Sequence, residues 1–423
     1  MKCKQDFRLL IILISFIQGL AFGQNSINEN PSVRLGVSQI DITPEKPTLM
    51  SGYSGRTTRF TGVHDKLYAS AFYFSGEKTK ALFITTDLIG FSSDFIDDLK
   101  KMISSKITIP PENIMISAVH NHGGPALIIY PGEVPDSVYD YVKVLKEKLT
   151  TLVADASNNL VPVRMGTGKG LCNLNINRRA MFADGAIGLG RNPDGPCDHE
   201  LVVAKFEDMK SNPLAILINW PCHGTASGRD NLQITGDWPG AAARYIKKQA
   251  GKDIIVAVTA GASANINPIY GPGNKFNEIE TVGYHVGNEA WKVNSQITTY
   301  PVKDLQMTNT TIIFPGKAQG KDYFPPSSFE KGPDVEIRLT TLKVGDLVLS
   351  GVSGELMTEI GMEVKKKSPF SNTIIVTHCN GSSGYICTDK SFPEGGYEVQ
   401  STNLMPGAEK PLTQKFLELI HSF

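Results

Sequence analysis

The feature that most constrains the fold is a strand, a helix and a second strand in succession. Residues 81–87 form a short apolar run that ends in polar residues, residues 95–107 carry apolar side chains at helical spacing, and residues 114–119 form a second apolar run. Two buried strands joined by a helix favour a parallel βαβ unit, whose carboxyl strand ends collect functional groups. The chain is therefore predicted to belong to the α/β class, with its site at strand ends.

The second of these strands leads directly into a pair of histidines, in the sequence His120-Asn121-His122-Gly123-Gly124. Residues i and i+2 of a strand point to the same face, so both imidazoles are expected to project together from the strand end. The two glycines let the chain turn away and let backbone approach closely. Such a pair can hold a metal ion or act as a general base. The alternative is a strand that simply ends in polar residues.

The rest of the chain continues this pattern without an internal repeat, a long linker or a break in composition. Apolar runs and helical spacing predict strands over residues 33–42, 200–206, 214–220, 254–258, 334–344, 347–352 and 374–377, and helices over residues 135–160, 237–250, 276–293 and 355–367. We predict a single large mixed α/β domain over residues 34–423, with central β-sheets flanked by helices.

Residues 1–23 have the pattern of a secretory signal peptide. Basic residues precede an apolar segment over residues 9–17, and Ala21-Phe22-Gly23 supplies small residues before a cleavage site at Gln24. The apolar segment is too short and too interrupted to predict a membrane span, and no later stretch predicts one. We predict an exported protein, periplasmic or secreted, with residues 24–33 as a flexible tail.

The charge balance excludes some classes of partner. The 42 Lys and Arg residues equal the 42 Asp and Glu residues in number. No basic field is available to attract nucleic acid or an anionic membrane, so nucleic acid is not predicted as a partner. The oligomeric state stays open.

Five cysteines remain after Cys3 leaves with the signal peptide, and an odd number leaves at least one thiol unpaired within the chain. The candidate local disulfides are Cys379 with Cys387 and Cys172 with Cys197, while the connectivity, including Cys222, stays open. The spacings match no zinc finger and no C-x-x-C motif, so structural zinc and thioredoxin-like chemistry are not predicted.

Other predicted strands also end in groups that bind metals or move protons. His223 follows residues 214–220, Glu355 follows residues 347–352, and His378 follows residues 374–377. Two histidines from different strands and a carboxylate are what a catalytic zinc ion needs, with an open position for water. Zinc lowers the pKa of that water and polarises a carbonyl. These residues predict a zinc hydrolase. The alternative is that the polar residues at these strand ends do not bind a common ligand.

At this point the chain resembles the neutral/alkaline ceramidase family over residues 34–420. Six motifs occur in the order seen in that family: Val37-Ser38-Gln39-Ile40-Asp41-Ile42-Thr43-Pro44, Ser117-Ala118-Val119-His120-Asn121-His122-Gly123-Gly124-Pro125, Asn177-Arg178, Asn219-Trp220-Pro221-Cys222-His223, Gly354-Glu355 and Gly384-Tyr385. The resemblance implies a ceramidase-like catalytic domain that hydrolyses an amide with water activated by zinc. It implies one zinc ion, held by His120, His223, Glu355 and Tyr385.

The resemblance also implies that His122 and Arg178 contact the substrate or the transition state. The chemistry of these side chains suits that role, because Arg178 stays charged and offers several donors. His122, Arg178 and the hydroxyl of Tyr385 can all stabilise an oxyanion. Two alternatives stay open: Arg178 could pair structurally with an acid such as Asp198, and Tyr385 could be a core residue.

Two departures from the family bear on the substrate. The ceramidases carry a Gly-Asp-x-Ser-Pro element whose serine takes part in catalysis, and the corresponding stretch here has Asn265 for the Asp and Asn267 for the Ser. Asn267 can donate a hydrogen bond to a substrate but cannot act as a nucleophile. The immunoglobulin-like C-terminal domain of the family is expected to be absent. Both departures leave ceramide open as the substrate without affecting the zinc ligands.

Three further features have structural and functional interpretations. Cys222 is expected to be a small buried hydrophobe rather than a nucleophile. Asp237 is expected to cap a helix, with support of His223 as the second role. Residues 126–130 are expected to be buried, and the alternative is an entrance for an acyl chain or a transient contact with a membrane surface.

We therefore predict an exported, zinc-dependent amidohydrolase of lipid metabolism that acts on a C–N bond of an N-acylated lipid such as ceramide. The first alternative is a zinc hydrolase of the same superfamily for another amide or an ester, such as an acylated sugar or a cell-wall fragment. The second is a homologue that binds a ligand without catalysis. The complete set of metal ligands argues against the second.

Overall fold

A computed structural model describes residues 31–127, 134–251, 254–273, 276–318 and 329–423. The predicted signal peptide, residues 1–23, lies outside the described residues, and so do residues 24–30 of the predicted tail and residues 128–130 of the apolar stretch after the histidines. Among the helices of the described ranges, none combines the length and the apolar character that a membrane crossing requires.

The described chain alternates between strands and helices. The strands are β1 Arg34–Asp41, β2 Gly62–Val63, β3 Tyr68–Ser75, β4 Lys80–Thr86, β5 Ile114–Ala118, β6 Val161–Leu171, β7 Asn175–Met181, β8 Ile187–Asn192, β9 Glu200–Asp208, β10 Pro213–Trp220, β11 Gln233–Ile234, β12 Ile255–Ala260, β13 Ile266–Pro268, β14 Tyr300–Pro301, β15 Leu305–Lys317, β16 Lys331–Val344, β17 Leu347–Val352, β18 Glu355–Leu356, β19 Asn372–Val376 and β20 Tyr385–Ile386. The helices are α1 Ser93–Lys106, α2 Asp136–Asn158, α3 Asp237–Ala250, α4 Phe276–Gln296, α5 Thr358–Lys367, α6 Ser391–Glu394, α7 Tyr397–Ser401 and α8 Glu409–His421.

The largest sheet has the strand order β12-β10-β9-β6-β1-β3-β4-β5, with β14 paired to β6. The first strand–helix–strand unit forms as predicted, because β4 and β5 pair in parallel with α1 between them. A second parallel pair joins β10 and β12, whereas β1 with β3 and β6 with β9 are antiparallel. The sheet is therefore mixed, and each of its two parallel pairs includes one strand, β5 or β10, that leads into a candidate histidine.

A second sheet, β15-β16-β17-β19, packs on one face of the large sheet. Phe72, Phe83 and Met115 of the large sheet share one buried cluster with Leu342 and Leu349 of the small one. On the other face of the large sheet, α1 and α2 form one core and α3 and α4 another, while α5 and α8 cover the outer face of the small sheet. The predicted mixed α/β fold with sheets flanked by helices is confirmed.

One predicted helix begins later than its pattern indicates. The helix expected over residues 355–367 starts at Thr358, because Glu355 and Leu356 form a short strand instead. That strand, β18, pairs in parallel with β20, and the pairing sets Glu355 opposite Tyr385. The pairing is therefore what brings two of the predicted site residues together.

Neither of the two candidate disulfides is formed, since all five cysteines of the described ranges are free thiols. Cys379 packs in the core between the two sheets, whereas Cys387 belongs to a separate cluster, so their separation of only eight positions along the chain does not bring them together. Cys197 instead places its Sγ 3.7 Å from Nδ1 of His199. Burial raises the pKa of Cys172 to about 11 and that of Cys379 to about 12, so both stay protonated at neutral pH.

Candidate metal centre and active site

The two predicted histidines converge, but not for the reason that the sequence suggests. His120 lies beyond the end of β5 and has a left-handed backbone with φ of 58°, so the alternation of a strand does not apply to it. Asn121 supports this turn, because its Oδ1 accepts from the amide of Gly123 at 2.7 Å and its Nδ2 donates to the carbonyl of Thr235 at 2.7 Å. The turn places Nε2 of His120 3.2 Å from Nε2 of His122.

Three predicted metal ligands meet at one point. Nε2 of His120 lies 3.4 Å from Oε2 of Glu355, and Nε2 of His223 lies 3.3 Å from the same oxygen. All three residues are buried or nearly so, since His120 and His223 are 5% and 1% exposed and the side chain of Glu355 is 11% exposed. These contacts bring together ligands from strands that are far apart in the sequence.

The hydrogen bonds on the far side of each ring fix which nitrogen faces the cluster. Nδ1 of His120 lies 2.9 Å from the carbonyl of Ile89, and Nδ1 of His223 lies 2.7 Å from the carbonyl of Ser263. A carbonyl oxygen can only accept, so each Nδ1 carries the proton and each Nε2 presents a lone pair to the cluster. Metal-binding histidines are commonly oriented in this way.

The cluster fits a divalent cation. Oε2 of Glu355 is buried and has no hydrogen-bond donor among the described residues, which is costly for a carboxylate unless a cation satisfies it. Two imidazole nitrogens and a carboxylate oxygen are a donor set that suits zinc. His120, His122 and His223 form one group with potential ligand atoms within 4.8 Å of one another, and His120, Glu355 and His378 form another.

His122 lies against the loop that follows residue 50. The ring of Tyr53 contacts it edge-on, with centroids 5.0 Å apart, and Gly52 approaches so closely that a Cβ there would lie 2.4 Å from Cγ of His122. Burial lowers the pKa of His122 well below its ordinary value, and the neighbouring His120 lowers it further. His122 is therefore neutral at physiological pH.

Arg178 is buried and each of its nitrogens has a partner. Nη1 lies 3.2 Å from Nε2 of His223 and donates to Oδ1 of Asn267 at 3.3 Å, and Nη2 donates to the hydroxyl of Tyr385 at 3.1 Å. Nε donates to Oε1 of Glu398 at 2.8 Å. Burial works against the charge of Arg178, but Tyr385 and Glu398 outweigh it and raise the pKa above its ordinary value.

Arg178 does pair with an acid, as the structural alternative expected, but the acid is Glu398, because Asp198 accepts from Nζ of Lys365 at 2.8 Å instead. Tyr385 does belong to a buried hydrophobic cluster, as the core alternative expected, but its hydroxyl also accepts from Arg178 and its ring lines a cleft. Burial raises the pKa of the Tyr385 phenol well above its ordinary value, and Glu355 raises it further.

The cleft has a volume of about 460 Å³ and adjoins the candidate metal ligands, since His122 and Arg178 of its wall contact His120 and His223. The predicted catalytic residues His122, Arg178, Asn267 and Tyr385 all line it. Its rim carries apolar side chains, because Leu189 is 50% exposed and Tyr397 is 43% exposed. The cleft thus has polar side chains beside the candidate metal ligands and exposed apolar side chains at its rim.

Two further residues lie next to the site: His378, which the sequence indicates only as a polar residue at a strand end, and Glu398, for which it predicts no role. His378 stacks flat on His120, with centroids 3.9 Å apart and an angle of 11° between the rings. Asn380 places it there, since its backbone and side chain bond to the strand β5 that precedes His120. The second residue, Glu398, binds Arg178, and no sequence signal connects the two residues across the 220 positions that separate them.

The remaining sequence candidates have structural environments. Cys222 is fully buried, and burial raises the pKa of its thiol well above the ordinary value, which argues against a nucleophile. The predicted capping role of Asp237 is wrong, because α3 begins at Asp237 without a side-chain cap, and the carboxylate instead accepts from the amides of Ala226, Ser227 and Trp238. It reaches His223 only indirectly, through Trp238, whose indole donates to the carbonyl of His223 at 2.8 Å.

The fold and this cluster define an α/β protein with a candidate metal centre beside a cleft. Residues 33–267 match the family model described as "Neutral/alkaline non-lysosomal ceramidase, N-terminal", and the chain belongs to that family. The resemblance deduced from the motifs is thereby confirmed at the level of the family.

Known relatives and solved structures agree with this assignment. Neutral ceramidase B of Dictyostelium discoideum is 24% identical over 431 residues, which cover 90% of this chain and 55% of that protein, and neutral ceramidase A of the same organism is 27% identical over 263 residues, 57% of this chain and 36% of that protein. This chain thus spans about half the length of these relatives or less. The crystal structure of neutral ceramidase from Pseudomonas aeruginosa matches with a TM-score of 0.77 at 17% identity, over 93% of this chain and 74% of that one. This match shows a shared fold.

Proposed function

We propose that this protein is a zinc-dependent hydrolase that cleaves the amide bond of an N-acylated lipid such as ceramide. The observation that carries the proposal is the convergence of His120, His223 and Glu355 beside a cleft that Arg178 and Tyr385 line. Relatives that share the family are neutral ceramidases by name, which supports the class of substrate. We also propose residues 34–423 as the hydrolase domain and export of the protein through residues 1–23.

The proposed zinc ligands are His120, His223, Glu355 and Tyr385, for one ion. Bound there, zinc would supply Lewis-acid activation of a water molecule and of the scissile carbonyl. The chain prepares the site, because the carbonyls of Ile89 and Ser263 hold the two imidazoles with their lone pairs directed inward. The parallel pairing of β18 with β20 holds Glu355 and Tyr385 opposite each other.

The residues of the cleft wall would act on the substrate itself. Arg178 presents Nη1 and Nη2 towards the site with a permanent charge, and these donors can bind the carbonyl oxygen as negative charge develops on it. His122 is neutral and can hydrogen-bond the substrate at the same position. The hydroxyl of Tyr385 stabilises the oxyanion as a further donor. Removal of one such donor commonly costs about 100- to 1,000-fold in rate.

The second candidate function is hydrolysis of a different amide or of an ester by the same metal centre. The observation that favours it is Asn267, which stands where the family has a catalytic serine and accepts from Arg178 at 3.3 Å. Asn267 therefore accepts a hydrogen bond from Nη1, one of the two terminal nitrogens of Arg178 that face the site. A substrate with a different group at this position would suit the arrangement better than ceramide.

Metal analysis of the purified protein tests the centre, and the expected result is about one zinc ion per chain. The paired variant His120→Ala with His223→Ala is expected to lose that ion while it keeps its circular dichroism spectrum. The matched control is His285→Ala, because His285 is exposed on α4 and lies outside the site. A wild-type protein that folds, hydrolyses its substrate and contains no metal would refute the proposal.

The substrate is tested by release of fatty acid from ceramide, compared with release from N-acyl amino acids and from esters. The proposal expects turnover of ceramide that disappears in the paired histidine variant. Turnover of an ester or of a non-lipid amide in preference to ceramide would support the second candidate function instead.

A further inference from the structure

Two consecutive arginines of β7 bind the same buried carboxylate. Arg178 donates through Nε to Oε1 of Glu398 at 2.8 Å, and Arg179 donates through Nη1 to Oε2 of Glu398 at 3.0 Å. The side chain of Glu398 is only 1% exposed, and those of the arginines are 6% and 8% exposed. A buried carboxylate in contact with two guanidinium groups is a fixed element of the structure, because few other arrangements satisfy all three charges.

The backbone of β7 explains how neighbouring residues reach one partner. Successive residues of a regular strand point to opposite faces. The pairing of β7 with β8 shifts its register between Asn177 and Arg179, which leaves Arg178 at an irregularity of the strand. Such bulges redirect side chains, and they often occur beside active sites. The irregularity therefore lets Arg178 face the cleft while both arginines share Glu398.

Arg179 has further partners outside the group of candidate metal ligands. Its Nη2 donates to Oε2 of Glu394 at 3.0 Å and to the carbonyl of Gly395 at 2.9 Å. Gly396 packs closely on it, since a Cβ there would lie 3.0 Å from Nη1 of Arg179, and its φ of 90° also suits glycine. The segment before α7 thus encloses Arg179, and Arg179 in turn holds Glu398.

Because Glu398 binds Nε of Arg178, the two terminal nitrogens of the guanidinium group remain directed at the site. With Nε bound to Glu398, Nη1 and Nη2 point to His223, Asn267 and Tyr385. Arg178 also adds a positive charge next to residues that would hold a cation, and like charges repel strongly where water is excluded. The negative charge of Glu398 offsets that repulsion.

We propose that Glu398 is a positioning residue with two effects: it aims the guanidinium of Arg178 at the substrate, and it balances the charge of Arg178 so that the neighbouring ligands can bind a divalent cation. The proposal rests on the proposed function for its catalytic part only. The effect on cation binding follows from the contacts and charges alone, so it can be measured separately.

The test uses Glu398→Gln, which keeps the shape of the side chain but removes its charge. The expected zinc Kd, measured by competition with a chelator, rises about 10-fold, and kcat falls about 10- to 100-fold, as is common when a residue that supports a functional side chain is lost. The matched control is Glu394→Gln, which removes a carboxylate that pairs with Arg179 rather than with Arg178 and whose side chain is 45% exposed. Its zinc Kd and kcat are expected to stay within about twofold of the wild type, because exposed ion pairs contribute little.

Two further variants separate the effect of the charge of Glu398 from its effect on the orientation of Arg178. In Arg178→Gln combined with Glu398→Gln the unbalanced charge is gone, so the zinc Kd is expected to return to within about threefold of the wild type. Glu398→Asp keeps the charge but shortens the reach, so its zinc Kd is expected to stay near the wild type while kcat falls at least about 10-fold. If Glu398→Gln does not fold, Glu398→Asp is used in its place.

Three results would overturn the proposal. The first is wild-type zinc affinity and kcat in Glu398→Gln. The second is a double variant that binds zinc more weakly than Glu398→Gln does, which would show a purely structural role. The third is full activity in Glu398→Asp. If the wild type binds zinc but hydrolyses no N-acyl amide, the proposed function fails, while the zinc measurements still decide the role of Glu398 in cation binding.

Discussion

Gly52 offers a sharp test of the position of His122. A Cβ at residue 52 would lie 2.4 Å from Cγ, 2.5 Å from Nδ1 and 2.7 Å from Cβ of His122. Ordinary contacts begin at 3.4 Å, so the ring of His122 would have to retreat by about 1 Å in Gly52→Ala. Tyr53 and His120 contact the same ring, so it cannot retreat without disturbing its neighbours.

The magnitude has two separable parts. Gly52 has a φ of 98°, and a side chain in that conformation costs of order 1–3 kcal/mol in stability. Displacement of a catalytic group by about 1 Å costs roughly 100-fold in rate. We therefore expect Gly52→Ala to lose about 1–3 kcal/mol of unfolding free energy and about 100-fold in kcat. Zinc affinity is expected to fall by less than kcat does, because the displaced ring of His122 affects the proposed ligands only through its contact with His120.

The control is Gly407→Ala. Gly407 has a φ of 105°, and a Cβ there would meet no atom within 4 Å, so this variant incurs the backbone cost without the clash. Urea denaturation gives the unfolding free energy of both variants, and steady-state kinetics on the amide substrate gives kcat. Equal kcat values in the two variants, at equal stability, would refute the assignment of His122 to the substrate.

Other consequences can be measured on the same protein. Burial lowers the pKa values of His122, His223 and His378, so below pH 6.5 the unfolded chain takes up protons that the native metal-free protein cannot. Asp87, whose pKa burial raises to about 7, and Asp237, whose pKa burial also raises, work in the opposite direction. Because the three histidines outnumber the two aspartates, the unfolding free energy should still fall as the pH drops from 6.5, by about 1.4 kcal/mol per pH unit near pH 5, and a flat profile in urea titrations would contradict this. Asn267→Ser should free Nη1 of Arg178 and raise ceramide turnover by about 10-fold, the value of one hydrogen bond, and unchanged turnover would show that position 267 does not account for the departure from the family. Zinc at 100 times its Kd should add about 2.7 kcal/mol to the unfolding free energy, and differential scanning calorimetry that shows no shift in Tm with zinc would contradict a site in the native state.

The sequence predicts the parts of this fold that rest on local patterns. The buried strands β4, β5 and β10 and the helix α1 appear where their apolar residues indicate, because each buries one face or both. The strand β15 and the hairpin β7–β8 give weaker signals. Most residues of β8 and of the middle of β15 are at least partly exposed, so no apolar run marks these strands.

The candidate site is predictable in its residue types and only partly in its geometry. The strand ends indicate His120, His223 and Glu355, but the convergence of the two histidines depends on a left-handed turn at His120, which only the tertiary hydrogen bonds of Asn121 explain. The partner of Arg178 illustrates the same limit. Asp198 is nearer in sequence, yet Glu398 is the acid that the irregular β7 strand reaches.

The proposed ligands come from different layers of the molecule. His120 and His223 follow strands of the large sheet, while Glu355 follows the last residues of β17 in the small sheet. A cation held by all three would fasten the two sheets to each other at one edge, so binding would be coupled to their docking during folding. Amide hydrogen exchange should then report zinc binding as slower opening along the seam between the sheets, far beyond the residues that touch the ion.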